Sequence, residues 1–343
     1  MLVFASFSYA KEEKKEQTLQ EEITEYIYHH VQDSHDFSLF STKDKKTGDK
    51  KYYGFPLPVI LVDEGVKFFM SSKLEHGKNV VESSGKYYKL YHGKIYETNS
   101  EGYISYDKEG KVTNERPLDL SITKSVFSIL LVSILMFYLF RSLARSYNGN
   151  NHIAKGVGRF FEPIVIYIRD EIAIPSIGEE KHKRYMSFLL TLFFFIWFLN
   201  LLGLSPLGVN ATGNIAVTFG LALVTFLITN LTANKTYWKH IFWMPGVPVW
   251  LKPLLAPIEL LGVFIKPFSL MIRLYANILA GHIVLYSLIG LIFIFKNLVG
   301  SSLSLVLVFF ISIIEVLVAL LQAYIFTLLS ALYFGFAVQE DDH

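Results

Sequence analysis

Apolar positions are spread unevenly along the chain. Beyond residue 118 they run together; before it they come in short groups parted by Gly, Asn, Asp and Ser. The runs Ser125–Phe140, Met186–Leu207 and Ile215–Leu231 approach the roughly 20 residues a helix needs to cross a bilayer. Two others, Pro257–Phe295 and Ser301–Ala337, are longer still. At 1.5 Å per residue each would exceed about 50 Å, against a hydrocarbon core about 30 Å thick. Both helices are therefore expected to tilt strongly, bend, or leave the core. Phe160–Ile177 is apolar but broken by Glu162, Arg169, Asp170 and Glu171, and reads as an amphipathic helix lying on the membrane surface.

Residues 11–118 read differently. Glu21 to Val31 predicts a short helix. Pro56–Val62, Val66–Met70, Tyr87–Tyr91, Lys94–Thr98 and Gly102–Tyr106 predict strands. The expected fold is thus an all-α membrane protein of about five transmembrane helices, the last two long and strongly tilted. One amphipathic interfacial helix and a small β-rich soluble N-terminal domain complete it. The expected divisions are residues 1–10, residues 11–118 and a transmembrane domain from 119 to 343. The first ten residues end in Ser8-Tyr9-Ala10, a small-x-small pattern, and are read as the remnant of a signal peptide whose start lies upstream. The soluble region would then be exported.

Composition narrows the classes. The chain is 52% hydrophobic, has no cysteine and carries a net charge of +2, which excludes disulfides and thiolate metal sites. No Gly-rich phosphate loop is present, and no cofactor, metal or nucleic acid is expected. His29, His30 and His35 have no second ligand cluster and are read as solvated or locally packed. The distribution of charge is more informative than its sum. Arg141, Arg145, Lys155, Arg159, Arg169, Lys181, Lys183 and Arg184 fall in one connection, and Lys235, Lys239 and Lys252 in another. Gly208–Gly213 carries no charge. Basic loops favour the cytoplasm, so residues 11–118 are expected outside and the C-terminal tail Glu340-Asp341-Asp342-His343 inside. Trp238, Trp243 and Trp250 would anchor the interface.

The candidate chemistry lies inside the apolar runs. Arg273 stays charged in any protein environment, and a cation at mid-bilayer costs about 2.5–3.5 kcal/mol on insertion scales. At 100° per residue, Lys266 and Glu259 share its face one and two heptads earlier, Asn277 lies close to it, and His282 points away. On the last helix Glu315 and Gln322 are seven apart and share a face. Glu315 is expected to pair with His282, and such a pair can pass a proton near neutral pH. Asn200 reads as interhelical glue. Gly262, Ala280 and Gly281 allow close approach of another backbone.

Taken with Asn200-Leu201-Leu202-Gly203-Leu204, these residues carry a resemblance. Pro257-Ile258-Glu259 through Lys266-Pro267, Ile272-Arg273-Leu274-Tyr275-Ala276-Asn277 and Ala280-Gly281-His282, with Glu315 and Leu321-Gln322-Ala323-Tyr324, resemble subunit a of the F-type ATP synthase membrane sector. The resemblance runs from Leu118 to the C-terminus. It implies a proton-translocating stator in the bacterial inner membrane, facing a ring of c subunits, held by b-type peripheral stalk subunits and tied indirectly to the catalytic ATPase sector. Arg273 would be the charge barrier opposite the ring carboxylate. Asn277, His282, Glu315 and Gln322 would line the inlet half-channel, and Glu259 and Lys266 the outlet. The family's acidic residue at the Gly203 position is absent, so no channel role is expected there. The alternatives are a secondary transporter or self-contained ion channel, against which stands the absence of an internal repeat, and a structural anchor for the exported domain.

Overall fold

The structure, a computed structural model, describes residues 32–43, 50–147, 156–205, 207–244, 246–295 and 297–339. The signal-peptide reading, the Glu21–Val31 helix, His29, His30 and the last four residues lie outside these segments.

The N-terminal region is built from short antiparallel strands. β1 (Asp36–Lys43) pairs with β2 (Lys50–Pro56). β3 (Pro58–Val62) lies between β4 (Val66–Met70) and β8 (Leu118–Asp119). β6 (Lys86–Tyr91) lies between β5 (Val80–Ser83) and β7 (Lys94–Thr98). Alternation along β3 and β4 buries Val59, Leu61 and Phe69, which pack with Leu74, Val81, Tyr88 and Ile95 into one small core. Where that core meets solvent, Lys86 bridges Asp63 and Glu97, and Tyr88 donates to Asp63.

The expected strand at Gly102–Tyr106 does not form; only an isolated bridge joins Tyr106 to Val112. Side chains take the backbone donors a ladder would have used. Asn99 accepts from the Tyr103 amide at 2.8 Å and Asn114 from that of Ser105 at 2.7 Å.

Among the described residues eight α-helices follow: α1 (Lys124–Tyr147), α2 (Val157–Tyr167), α3 (Ile174–Ile177), α4 (His182–Leu204), α5 (Ile215–Leu231), α6 (Lys235–Phe242), α7 (Lys252–Ile294) and α8 (Leu298–Val338). Four of them, α1, α4, α7 and α8, are long and apolar enough to cross a membrane. α5 and α6, joined through a 100° bend, make a fifth candidate. The chain is therefore mostly helical, with four to five candidate spans and small β-sheets before them. α7 runs unbroken through Pro257 and Pro267 for 43 residues, and α8 for 41.

α4 is the hub. Leu189, Phe194, Ile196 and Leu199 are fully buried on it, and α8 packs along it through small residues, Ala319, Ala323, Thr327, Ser330 and Ala331. The stripe repeats every three or four positions, which brings the two backbones together.

The segment expected to lie on the membrane surface is helical but broken. A π-helical turn, Ile168–Ala173, joins α2 to α3. Pro175 has no amide to offer the carbonyl four residues back, and the widened turn accommodates it. The segment is amphipathic as expected, yet its buried face, Ile168, Ile172, Ala173 and Ile177, belongs to the protein core. Gly335 of α8 packs directly on the Ser176 carbonyl, where no side chain fits.

Candidate functional site

α7 and α8 lie side by side, and the polar groups expected to matter sit along their seam and on the exposed flank of α7. Asn277 Nδ2 donates to Gln322 Oε1 at 2.8 Å across that seam. Gln322 is 2% exposed.

Glu315 and His282 are both buried, but the expected direct pair is not formed. Both Glu315 carboxylate oxygens and His282 Nδ1 are without a hydrogen-bond partner among the described residues. The reason is helical phase. Glu315 projects from α8 onto the backbone of Gly281: a Cβ there would stand 2.7 Å from Glu315 Oε1. His282, one residue on and 100° around the helix, turns instead to α4 and stacks near Tyr286 at 6.0 Å. Its Nε2 would be 3.2 Å from a Cβ placed on Gly203.

The sequence assigns Gly203 no channel role. It lies beside His282, and its missing side chain makes the room that the imidazole uses. Asn200 is the interhelical tie expected of it. It donates to the Ala319 carbonyl of α8 at 3.3 Å and accepts from Thr212 of the α4–α5 loop at 2.8 Å.

Arg273 is half-buried on a flank of α7 whose exposed positions are Ser269, Ile272, Ala276, Asn277 and Ala280. Three of those five are small, so the guanidinium borders a shallow, open surface. It makes no hydrogen bond or ion pair among the described residues. Toward the N-terminal end of α7, Lys266 Nζ lies 5.7 Å from the Tyr333 ring and 5.8 Å from that of Phe336. Aromatic faces attract a cation at this range. Lys266 also lines a small cavity with Thr225, Thr229, Asn230, Tyr237 and Tyr333. Glu259 sits farther along, close enough for its charge to bear on Tyr237. Gly262, expected to admit another backbone, faces open space, whereas Gly281 is closely packed. Among the described residues no three His, Asp or Glu side chains stand together as a metal site.

Buried titratable groups, an unpaired cation and tandem apolar helices define a multi-pass, ion-translocating membrane subunit. Residues 126–335 match the family model described as ATP synthase A chain, and residues 26–120 match that of a domain of unknown function. The chain belongs to the ATP synthase A chain family, the proton-translocating subunit of the F-type ATP synthase, and so to a multi-subunit complex. It is 44% identical to ATP synthase subunit a of Myxococcus xanthus over 66% of this chain and 77% of the relative. For ATP synthase subunit a of Chloroherpeton thalassium the identity is 41%, over 66% and 69%.

Proposed function

We propose that this chain forms two offset half-channels against a c ring, with Arg273 as the barrier between them. The observation that carries the reading is the unpaired guanidinium on an open flank of α7, with different polar groups on either side along the helix. A permanent cation held in lipid without a counter-charge among the described residues calls for an anion from a partner. A ring carboxylate meets that need: it crosses lipid neutral and ionises beside the guanidinium.

Asn277, His282, Glu315 and Gln322 serve the inlet, on the side outside the cytoplasm, and Lys266 and Glu259 the outlet. Since Glu315 and His282 do not touch, a proton passes between them through intervening water rather than by a direct bond. Arg273 repels a free proton, so the two paths do not join into a leak. Each proton moved is worth about 2.3 kcal/mol per 100 mV of membrane potential. α7 and α8 tilt to fit the bilayer and offer the ring a broad face. b-type stalk subunits hold the chain against rotation. The extension lies in the periplasm and the C-terminus in the cytoplasm of a bacterial inner membrane.

The test uses the complex reconstituted in vesicles. Arg273→Ala is expected to assemble but to lose ATP-driven proton pumping. Full coupling in that variant rules the reading out.

A further inference from the structure

The extension does not hang free of the membrane domain, and one of its attachments runs through Asp33. One carboxylate oxygen, Oδ1, accepts from the Ser125 amide in the first turn of α1 at 3.0 Å. The other, Oδ2, lies 3.5 Å from Asn214 Nδ2. Asn214 is the N-cap of α5, and its own Oδ1 accepts from the Ala216 amide at 3.0 Å. A single carboxylate thus stands at the amino ends of two membrane helices, where their dipoles favour a negative charge. Around it the Lys124 amide donates to the Ser34 carbonyl at 2.8 Å, and Phe37, Phe55 and Phe127 form one aromatic cluster.

The loop that Asp33 reaches leads straight to the inlet groups. It includes residues 207–214. Thr212 bonds Asn200, which bonds the backbone of α8 one turn from Glu315. The Val209 carbonyl would be 3.0 Å from a Cβ on Gly203, the residue beside His282. Val209, Ala211 and Thr212 are buried, at no more than 1% exposure each. The loop is therefore a roof over the Gly203–His282 contact, and its far end is pinned by the extension.

We propose that Asp33 is a positioning residue for proton uptake: the extension clamps α1 to α5 through this carboxylate and so holds residues 207–214 closed over His282. This rests on the half-channel reading, in which His282 serves the inlet. It assigns the extension the task of shaping the inlet instead of merely decorating it.

The absence of cysteine makes a direct test clean. Val209→Cys in the assembled complex is shielded from a water-soluble maleimide. In the Asp33→Ala background its labelling is expected to quicken roughly two- to thirtyfold, the range for losing one or two helix-terminal charge interactions. Proton uptake in vesicles stripped of the catalytic sector should fall with a changed dependence on the pH of the extension's side, and Asp33→Glu should restore most of it. Unchanged labelling overturns the proposal whatever uptake does. If Asp33→Ala lowers assembly, Asp33→Asn, which keeps the side chain's size, is judged by the same labelling criterion. Arg273→Ala tested in parallel separates the two claims, since it tests coupling while leaving the roof intact.

Discussion

Asn277 and Gln322 join α7 to α8 through a single amide–amide hydrogen bond of 2.8 Å, one turn beyond Arg273. The bond leaves Gln322 Nε2 buried and without a partner among the described residues. That N–H needs an acceptor, and a water oxygen in the seam would supply one. Asn277→Ala and Gln322→Ala should each slow proton transport several-fold. In a double-mutant cycle their effects should be coupled by about 0.6 kcal/mol, the average for hydrogen bonds between membrane helices. Strict additivity of the transport rates would show that the two amides act separately.

Gly281→Ala and Gly262→Ala form a matched pair of opposite consequence. A methyl at 281 would stand 2.7 Å from Glu315 Oε1, whereas one at 262 meets nothing within 4 Å. The carboxyl is the far end of a flexible side chain, so it can give way, but only by leaving its place against the α7 backbone. ATP synthesis driven by a proton gradient should drop about tenfold or more in the first variant and stay near the parent rate in the second. Equal rates would mean that the Glu315 position is not critical.

The ammonium of Lys266 is held between aromatic rings of α8, so its role depends on them. Lys266→Met and Tyr333→Leu should weaken the same contact, worth about 0.5–2 kcal/mol. The double variant should therefore be little worse than the worse single one, read as proton release in vesicles. Independent losses would place Lys266 elsewhere in the path.

Acid should loosen the extension before it loosens the helices. Lys86 and Tyr88 hold the Asp63 carboxyl below its ordinary value. Burial pulls Asp119 upward, but hydrogen bonds with His35 and Ser121 outweigh it and leave it lowered as well. A carboxylate whose folded pKa is depressed adds stability that is complete above its unfolded value and is lost as pH falls through the folded one. With a reference value of 3.8 for both groups, the loss belongs below about pH 4. Amide exchange in β3 and β6 of the intact complex should rise over that window, while exchange in α4 stays slow. Asp63→Asn should remove much of the pH dependence.

The long helices were legible because burial in lipid demands runs of apolar residues, and the bounds of α5 and of β4 and β7 follow from punctuation alone. β1 and β2 were not. They lack a regular alternation of apolar and polar residues, and they are anchored by Phe37 and Phe55 packing edge-on against Phe127, 90 and 72 residues away along the chain. No local signal carries a contact of that range. In the Phe160–Ile177 segment periodicity reports that a face is apolar and not what covers it; Ile168, Ile172 and Ile177 are covered by the protein core.

By itself the sequence determined the identity of the charged groups, their heptad spacing on α7 and the family to which they point, because these depend only on residue type and helical period. Tertiary structure alone decided which groups meet. A step of one residue turns a side chain by 100°, so Gly281 receives Glu315 while His282 swings to Gly203 on another helix. The attachment of the extension through Asp33 belongs to the same class, since a hydrogen bond across 181 positions has no trace in local pattern.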